Sequence, residues 1–171
     1  TVSPWPPTWP VAVPTSSSVA ILKRTPNVMR APRGSIPKAK KARRVIVCSG
    51  KVYYDLLAYR RESKIDDVAI VRLEQQYPFP HADFKSEIAG YAKAKEVVWC
   101  QEEPQNQGAW YRLRAYLRAD ILDSQVLAYA GRSISASTAV GSASKHNAEQ
   151  KQLIEDAFAT KLASGEMVVA H

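Results

Sequence analysis

The sequence predicts an α/β fold, a three-layer sandwich on a mostly parallel sheet of about four to five strands. Two observations carry this expectation. After residue 44, short apolar runs rich in β-branched residues alternate with stretches of helical periodicity. Those runs are apolar without alternation, as strands buried on both faces must be.

Val45-Ile46-Val47-Cys48-Ser49, closed by Gly50, reads as the first strand. A helix over Lys51 to Ser63 should follow. Tyr54, Leu56 and Leu57 would face the sheet, with Lys51, Asp55, Arg60, Arg61 and Glu62 towards solvent. The cycle repeats with the strand Val68 to Arg72, a loop through Pro78 and Pro80, and a helix near Ala82 to Ala92 containing Phe84, Ile88 and Tyr91. Glu96 to Gln101 is the third strand. After the loop Glu102 to Gln107, Gly108 opens a helix from Ala109 to about Ala119, with Trp110, Leu113, Tyr116 and Leu117 on one stripe. Val126 to Ala130 reads as a fourth strand. Lys145 to Leu162 reads as a long helix, apolar at Ala148, Leu153, Ile154, Ala157 and Phe158 and polar at Glu149, Lys151, Glu155 and Asp156. Residues 163–171 form a tail with no assigned element.

Ahead of this pattern, eight of the eleven prolines fall in residues 1–37, together with Trp5, Trp9 and a Ser16-Ser17-Ser18 run. Proline at that density sustains neither helix nor strand, so this extension is expected to be disordered or irregular. Its proline content also opposes the amphipathic helix of an organelle transit peptide. The net charge of +8 is concentrated there: residues 1–44 hold nine basic and no acidic side chains, leaving 15 basic against 16 acidic in the rest. A basic extension on a neutral body does not define a nucleic-acid-binding domain, and no nucleic-acid motif accompanies it. Cys48 and Cys100 are too few for a disulfide framework and lack the spaced partners of a zinc site, so a reducing, cytoplasm-like compartment is expected. No apolar run approaches the ~20 residues of a membrane helix.

Several stretches invite a functional reading. Cys48-Ser49-Gly50-Lys51 lies where strand meets helix, a place where open α/β sheets bind ligands and helix N–H groups attract anions. It offers neither a full phosphate loop nor a dinucleotide fingerprint, and a tight turn is the favoured reading. Arg72, ending the second strand, either pairs with a neighbour such as Glu74 or faces an anion. The segment Gln101 to Gly108 sets two carboxylates and four side-chain amides between strand and helix. Adjacent glutamates diverge, however, and Pro104 suggests a shaped interface loop more than an acid/base site. Gly131-Arg132-Ser133-Ile134-Ser135-Ala136-Ser137 would allow close approach by another chain or a phosphate. Neither cysteine has a histidine near it in sequence, so both are read as core and a Cys/His nucleophile is not expected.

Taken in order, Val47 to Leu56, Asp66 to Gln75 with Tyr77-Pro78-Phe79-Pro80, and Val98 to Pro104 with Asn106-Gln107-Gly108-Ala109-Trp110 form a recognisable series. Tyr129-Ala130-Gly131-Arg132 and His146 through Glu149-Gln150 to Phe158 complete it. The set resembles the C-terminal domain of the decarboxylating, thiamine-dependent component of 2-oxoglutarate dehydrogenase, over about Lys38 to Phe158. The resemblance implies a transketolase C-terminal-like domain over 38–162, acting in assembly of a homodimer. It implies an enzyme that decarboxylates 2-oxoglutarate and passes succinyl to lipoyl groups in the tricarboxylic acid cycle. The implied partners are the N-terminal thiamine-binding domains, a second subunit and the lipoyl-bearing succinyltransferase component, with neither membrane nor nucleic acid among them. Thiamine diphosphate and Mg²⁺ would sit on the earlier domains, so this stretch is expected to bind no cofactor or metal and to hold no catalytic residue. The compartment would be the bacterial cytoplasm, or the mitochondrial matrix in a eukaryote.

In some relatives acetyl-CoA or a nucleotide regulates through this region. Arg72 is the position carried over by the match, while Lys51 and Arg132 are chosen on placement alone. Residues 1–37 do not resemble what precedes the domain in that family and read as a foreign extension. Two rivals remain open: a free-standing nucleotide-binding module using Ser49, Gly50 and Lys51, and a nucleic-acid-associated protein led by its basic extension.

Overall fold

A computed structural model of the chain describes residues 28–30 and 41–159. The expectations for the rest of 1–37 and for the tail after residue 162 lie outside the described residues. In chain order the elements are β1 (Val28–Arg30), β2 (Arg44–Cys48), α1 (Val52–Glu62), β3 (Val68–Leu73) and α2 (His81–Ala89). They continue with β4 (Glu96–Pro104), α3 (Trp110–Asp120), β5 (Val126–Arg132) and α4 (Ala143–Phe158).

The five strands form one sheet in the order β1-β3-β2-β4-β5. Strands β2 to β5 are parallel, and β1 closes the β3 edge in antiparallel register with Val28 opposite Leu73. This is the three-layer sandwich with a mostly parallel sheet that the apolar runs predict. The edge strand β1 is new: it lies inside the segment read as unable to hold a strand. Pairing with β3 supplies a backbone partner that local sequence does not reveal.

Alternation along each strand divides the core in two. Val45, Val47, Ala69, Val71, Val97, Trp99 and Leu127 belong to one buried cluster with Phe84 and Ile88 of α2 and Trp110, Leu113 and Leu117 of α3. Ile46, Cys48, Ile70, Val98, Cys100, Ala128 and Ala130 belong to the other, with Leu56 and Leu57 of α1 and Leu153, Ile154 and Phe158 of α4. Each valine, leucine, isoleucine or phenylalanine among them, fully buried, contributes about 1.5–3 kcal/mol. No helix among the described residues is long and apolar enough to cross a membrane.

Three side-chain expectations are corrected. Tyr54 is 59% exposed and Tyr53 takes the inward position, because the buried stripe of α1 runs through Val52, Tyr53, Leu56, Leu57 and Arg60. The i, i+3, i+4 spacing of the two leucines fixes that phase. Arg60, read as solvent-facing, is therefore buried, and its Nε donates to the Ile65 carbonyl at 3.1 Å. Ala148 is exposed, since only the second half of α4 reaches the sheet.

Arg44 is fully buried at the start of β2. Its Nε donates to Glu96 of β4 at 2.8 Å and its Nη1 to the Ala157 carbonyl at 2.8 Å, so one guanidinium joins two neighbouring strands to the end of α4. The Arg44→Met variant should lose about 2–4 kcal/mol of stability, read from chemical denaturation. It keeps the packed stem, and Glu96 regains water because it is about a third exposed, which holds the loss below that of a fully buried pair.

Candidate functional site at the carboxyl edge of the sheet

Parallel strands end on the same side, and the chain moves from β2 outwards to β3 before crossing back to β4. The gap between β2 and β4 is therefore a topological switch point, the usual ligand crevice of open α/β sheets. A cleft of about 480 Å³ lies there, lined by Ser49, Gly50, Gln76, Trp99, Gln101, Glu103, Gln107, Gly108, Ala109 and Arg112. Gly50 has φ +74°, the left-handed region that suits glycine, and turns the chain from β2 towards α1.

Gln101 shapes this crevice. It is buried, and its Oε1 accepts from the Trp99 indole N–H at 2.8 Å and from the Trp110 backbone N–H at 3.0 Å. Its Nε2 donates to the carbonyls of Glu103 at 3.2 Å and Pro104 at 3.1 Å. One neutral side chain thus satisfies a donor at the start of α3 and fastens the end of β4 to it. Gly108 is required because a Cβ there would fall on the Gln101 side chain.

The three residues singled out as regulatory candidates occupy the same edge but not one pocket. Arg72, next to last in β3, pairs with Glu74 and places Nη1 3.1 Å from the Tyr54 hydroxyl. Its guanidinium lies 5.1 Å from the Tyr53 ring centre and 5.5 Å from that of Tyr54. The Tyr54 hydrogen bond and the Glu74 carboxylate together hold its charge more firmly than usual. Lys51 is turned away from the crevice: its Nζ is 2.6 Å from Asp55 and 3.4 Å from Glu102. The Asp55 contact, first of several, raises the Lys51 pKa.

Arg132, ending β5, has Nη2 3.0 Å from His146 Nδ1 and 3.4 Å from Gln150 Oε1. Its Nε lies 3.6 Å from Glu149. Gln150 in turn donates to Asp55 at 3.1 Å and Glu102 at 2.9 Å. Lys51 and Arg132 therefore belong to one network, Lys51–Asp55–Glu102–Gln150–Arg132, spanning α1, β4, α4 and β5. The strands of Arg72 and Arg132 are three spacings apart, roughly 14 Å.

A second cleft of about 330 Å³ opens beside Arg132 between the loop after β5 and α4, lined by Ser133, Ser135, Ser137, Lys145 and Glu149 among others. Asn106 and Gln107 donate to the Ser135 carbonyl at 2.9 and 2.6 Å, so the interface-type loop after β4 holds the loop after β5. Gln101 and Gln150 appear in the sequence reading only as members of longer stretches; their organising role is not legible there, because a neutral amide carries no charge pattern.

Among the described residues, no group of three or more His, Cys, Asp or Glu side chains could hold a metal. Cys48 and Cys100 are core: both are buried, opposite one another in the parallel register of β2 and β4. Burial pushes the Cys48 thiol from about 9 up to about 12, and raises Cys100 well above its ordinary value. His81 Nδ1 lies 2.6 Å from Asp120, which also takes Lys85 at 3.3 Å, a latch between the start of α2 and the end of α3.

Comparison with known proteins is specific. Residues 20–158 match the family described as 2-oxoglutarate dehydrogenase C-terminal. The chain is 55% identical over 121 residues to the 2-oxoglutarate dehydrogenase E1 component of Cupriavidus necator, covering 71% of the chain and 13% of that protein. It is 56% identical over 119 residues to that of Haemophilus influenzae, covering 70% of the chain and 13% of the relative. With Coxiella burnetii the identity is 51% over 121 residues, again covering 70% and 13%. The chain thus spans about an eighth of the length of these relatives. The family match begins at residue 20, inside the segment set apart as foreign and ahead of β1.

Gly108→Ala should cost about 1–3 kcal/mol in chemical denaturation, because Gln101 must give up hydrogen bonds to make room. Neither cysteine should be alkylated by iodoacetamide at pH 8 in the native protein, while both react once it is unfolded, as read by intact mass. Folding holds both thiols neutral. Their contribution to stability is therefore complete below about pH 9 and declines as pH rises towards 12.

Proposed function

Because the chain belongs to the 2-oxoglutarate dehydrogenase C-terminal family, we propose that it is the assembly and regulatory domain of that enzyme's decarboxylating component and supplies no catalytic group. The observation that carries this reading is the network from Lys51 to Arg132. At the edge where open α/β enzymes place their chemistry, Lys51, Asp55, Glu102 and Arg132 are engaged with one another, through Gln150, across four elements. Such a network fixes the relative placement of α1, α4 and the strand ends, which is what a scaffold requires.

The reaction of the whole enzyme, decarboxylation of 2-oxoglutarate with transfer of succinyl to lipoyl groups in the tricarboxylic acid cycle, belongs to this proposal. So do its partners: the N-terminal thiamine-binding domains, a second subunit forming a homodimer, and the lipoyl-bearing succinyltransferase component. The proposed compartment is the bacterial cytoplasm, or the mitochondrial matrix in a eukaryote. Thiamine diphosphate and Mg²⁺ would supply the carbanion chemistry of that reaction from the earlier domains. Among the described residues no group of three or more His, Cys, Asp or Glu side chains converges that could hold the metal.

For regulation, Arg72 is the primary residue. Its guanidinium is held against two tyrosine rings beside the edge of the sheet, and a phosphate of acetyl-CoA or of a nucleotide would take the place of Glu74 by bidentate pairing. Lys51 and Arg132 contribute more weakly, because each must first release acidic or polar partners in the network.

With 2-oxoglutarate, thiamine diphosphate and Mg²⁺, the isolated chain should release no carbon dioxide above background; clear turnover would overturn the assembly reading. Acetyl-CoA or AMP should bind the chain, and Arg72→Ala should weaken that binding by about tenfold or more in titration calorimetry. Equal affinity of the two proteins removes Arg72 from the account.

A further inference from the structure

The four helices differ in how they settle their surface charges. On α4, Lys145 pairs with Glu149 and Lys151 with Glu155; on α1, Lys51 pairs with Asp55. On the outer side of α3, Arg112, which also borders the crevice between β2 and β4, is exposed and Arg114 and Arg118 are half-buried, and among the described residues none of the three forms an ion pair. Its one carboxylate, Asp120, is buried and taken by His81 and Lys85. Arg114 rests 5.0 Å from the centre of the Tyr111 ring, itself 42% exposed.

Arg112 opposes the helix's own electrostatics, because it lies in the first turn, at the positive end of the peptide dipoles. Arg118 lies in the last turn, where the dipole favours a cation, but it and Arg114 are like charges one turn apart. Between Arg112 on one flank and the Tyr111–Arg114–Arg118 line on the other lie Ala115 and Ala119, both exposed. The helical repeat of 100° per residue puts them side by side, so the face is a smooth strip with guanidiniums along both margins. Tyr and Arg over a shallow floor are what protein interfaces favour.

From this charge arrangement we infer that the outer face of α3 is a docking surface for an acidic protein segment, with Asp or Glu side chains meeting Arg112, Arg114 and Arg118. A second copy of the chain does not suit it, because two-fold pairing would set guanidinium against guanidinium. The chain's own residues 1–44 do not suit it either, since they hold nine basic side chains and no acid. Nucleic acid is the weaker fit. The three arginines lie within seven residues of helix, about 9 Å, on a body whose charge beyond residue 44 is near neutral, whereas phosphate backbones are bound along extended basic tracks. The inference stands on the charges of α3 and goes beyond the assembly reading; it is tested without the parent enzyme's activity.

The test uses the full chain carrying Lys38→Gln, Lys40→Gln and Lys41→Gln in both arms, so that the basic extension does not dominate. A fluorescein-labelled peptide of alternating Glu and Ala is titrated at low and at physiological salt and followed by anisotropy. Adding Arg112→Gln, Arg114→Gln and Arg118→Gln should weaken binding by about tenfold or more and leave the melting temperature unchanged or higher. The single substitutions carry the same test if the combined variant unfolds. Equal affinity in the two arms overturns the proposal. So does a single-stranded oligonucleotide of matched charge that binds the parent arm more tightly than the peptide and depends on the same arginines.

Discussion

A parallel sheet covered by helices on both faces leaves its strands no side on which a polar group can meet water. In β2 this holds for every residue from Arg44 to Cys48, and β3 departs from it only at Arg72. Polar and charged side chains are thereby confined to the ends of strands and to the outer faces of helices. The location of the candidate site follows, since Arg72, Gln101 and Arg132 all lie at or near carboxyl ends and the turn residues Ser49 to Lys51 follow one. The same constraint explains why the cysteines are inert: each occupies an ordinary apolar position of a central strand.

Two neutral amides that enter the interior are each held by more than one contact. Gln101 meets four hydrogen-bonding groups. Gln125 accepts from the Leu122 N–H at 3.1 Å and donates to the Tyr91 carbonyl at 3.2 Å, closing the approach to β5 over the turn that follows α2. Leaving such a group unpaired costs about 1–3 kcal/mol, comparable to the burial of a whole aliphatic side chain. That magnitude favours a few well-connected amides over many single contacts. It also makes these amides the points where loops are fixed: the loop after β4 is held by Gln101 from below and by Ser135 from beside it.

The parts of this structure that local pattern determines were legible in the sequence. Strands β2 to β5 and all four helices fall within a few residues of their expected places, because continuous apolar runs and 3.6-residue stripes are local signals. The phase of α1 was misread at Tyr53 and Tyr54, where two adjacent aromatics fit either way and only packing of Leu56 and Leu57 decides. The candidate site was half legible. Turn residues such as Gly50, and charged strand ends such as Arg72, stand out in a sequence. Gln150 joins Asp55, Glu102 and Arg132 from a helix far along the chain, and nothing local marks it. The family came from long matches in register, information of a different kind from periodicity.

The short pairing of β1 with β3 bears on how the domain is delimited. Val28 to Arg30 supply the backbone partners on the outer side of β3, the strand that carries Arg72. A piece cut at Lys38, where the apolar pattern invites a cut, would leave that border of the sheet unsealed and open to pairing with any extended peptide. The smallest unit that closes this edge therefore begins ahead of Val28 and runs to Phe158, and its first residues act as a selvedge that keeps the woven strands from fraying.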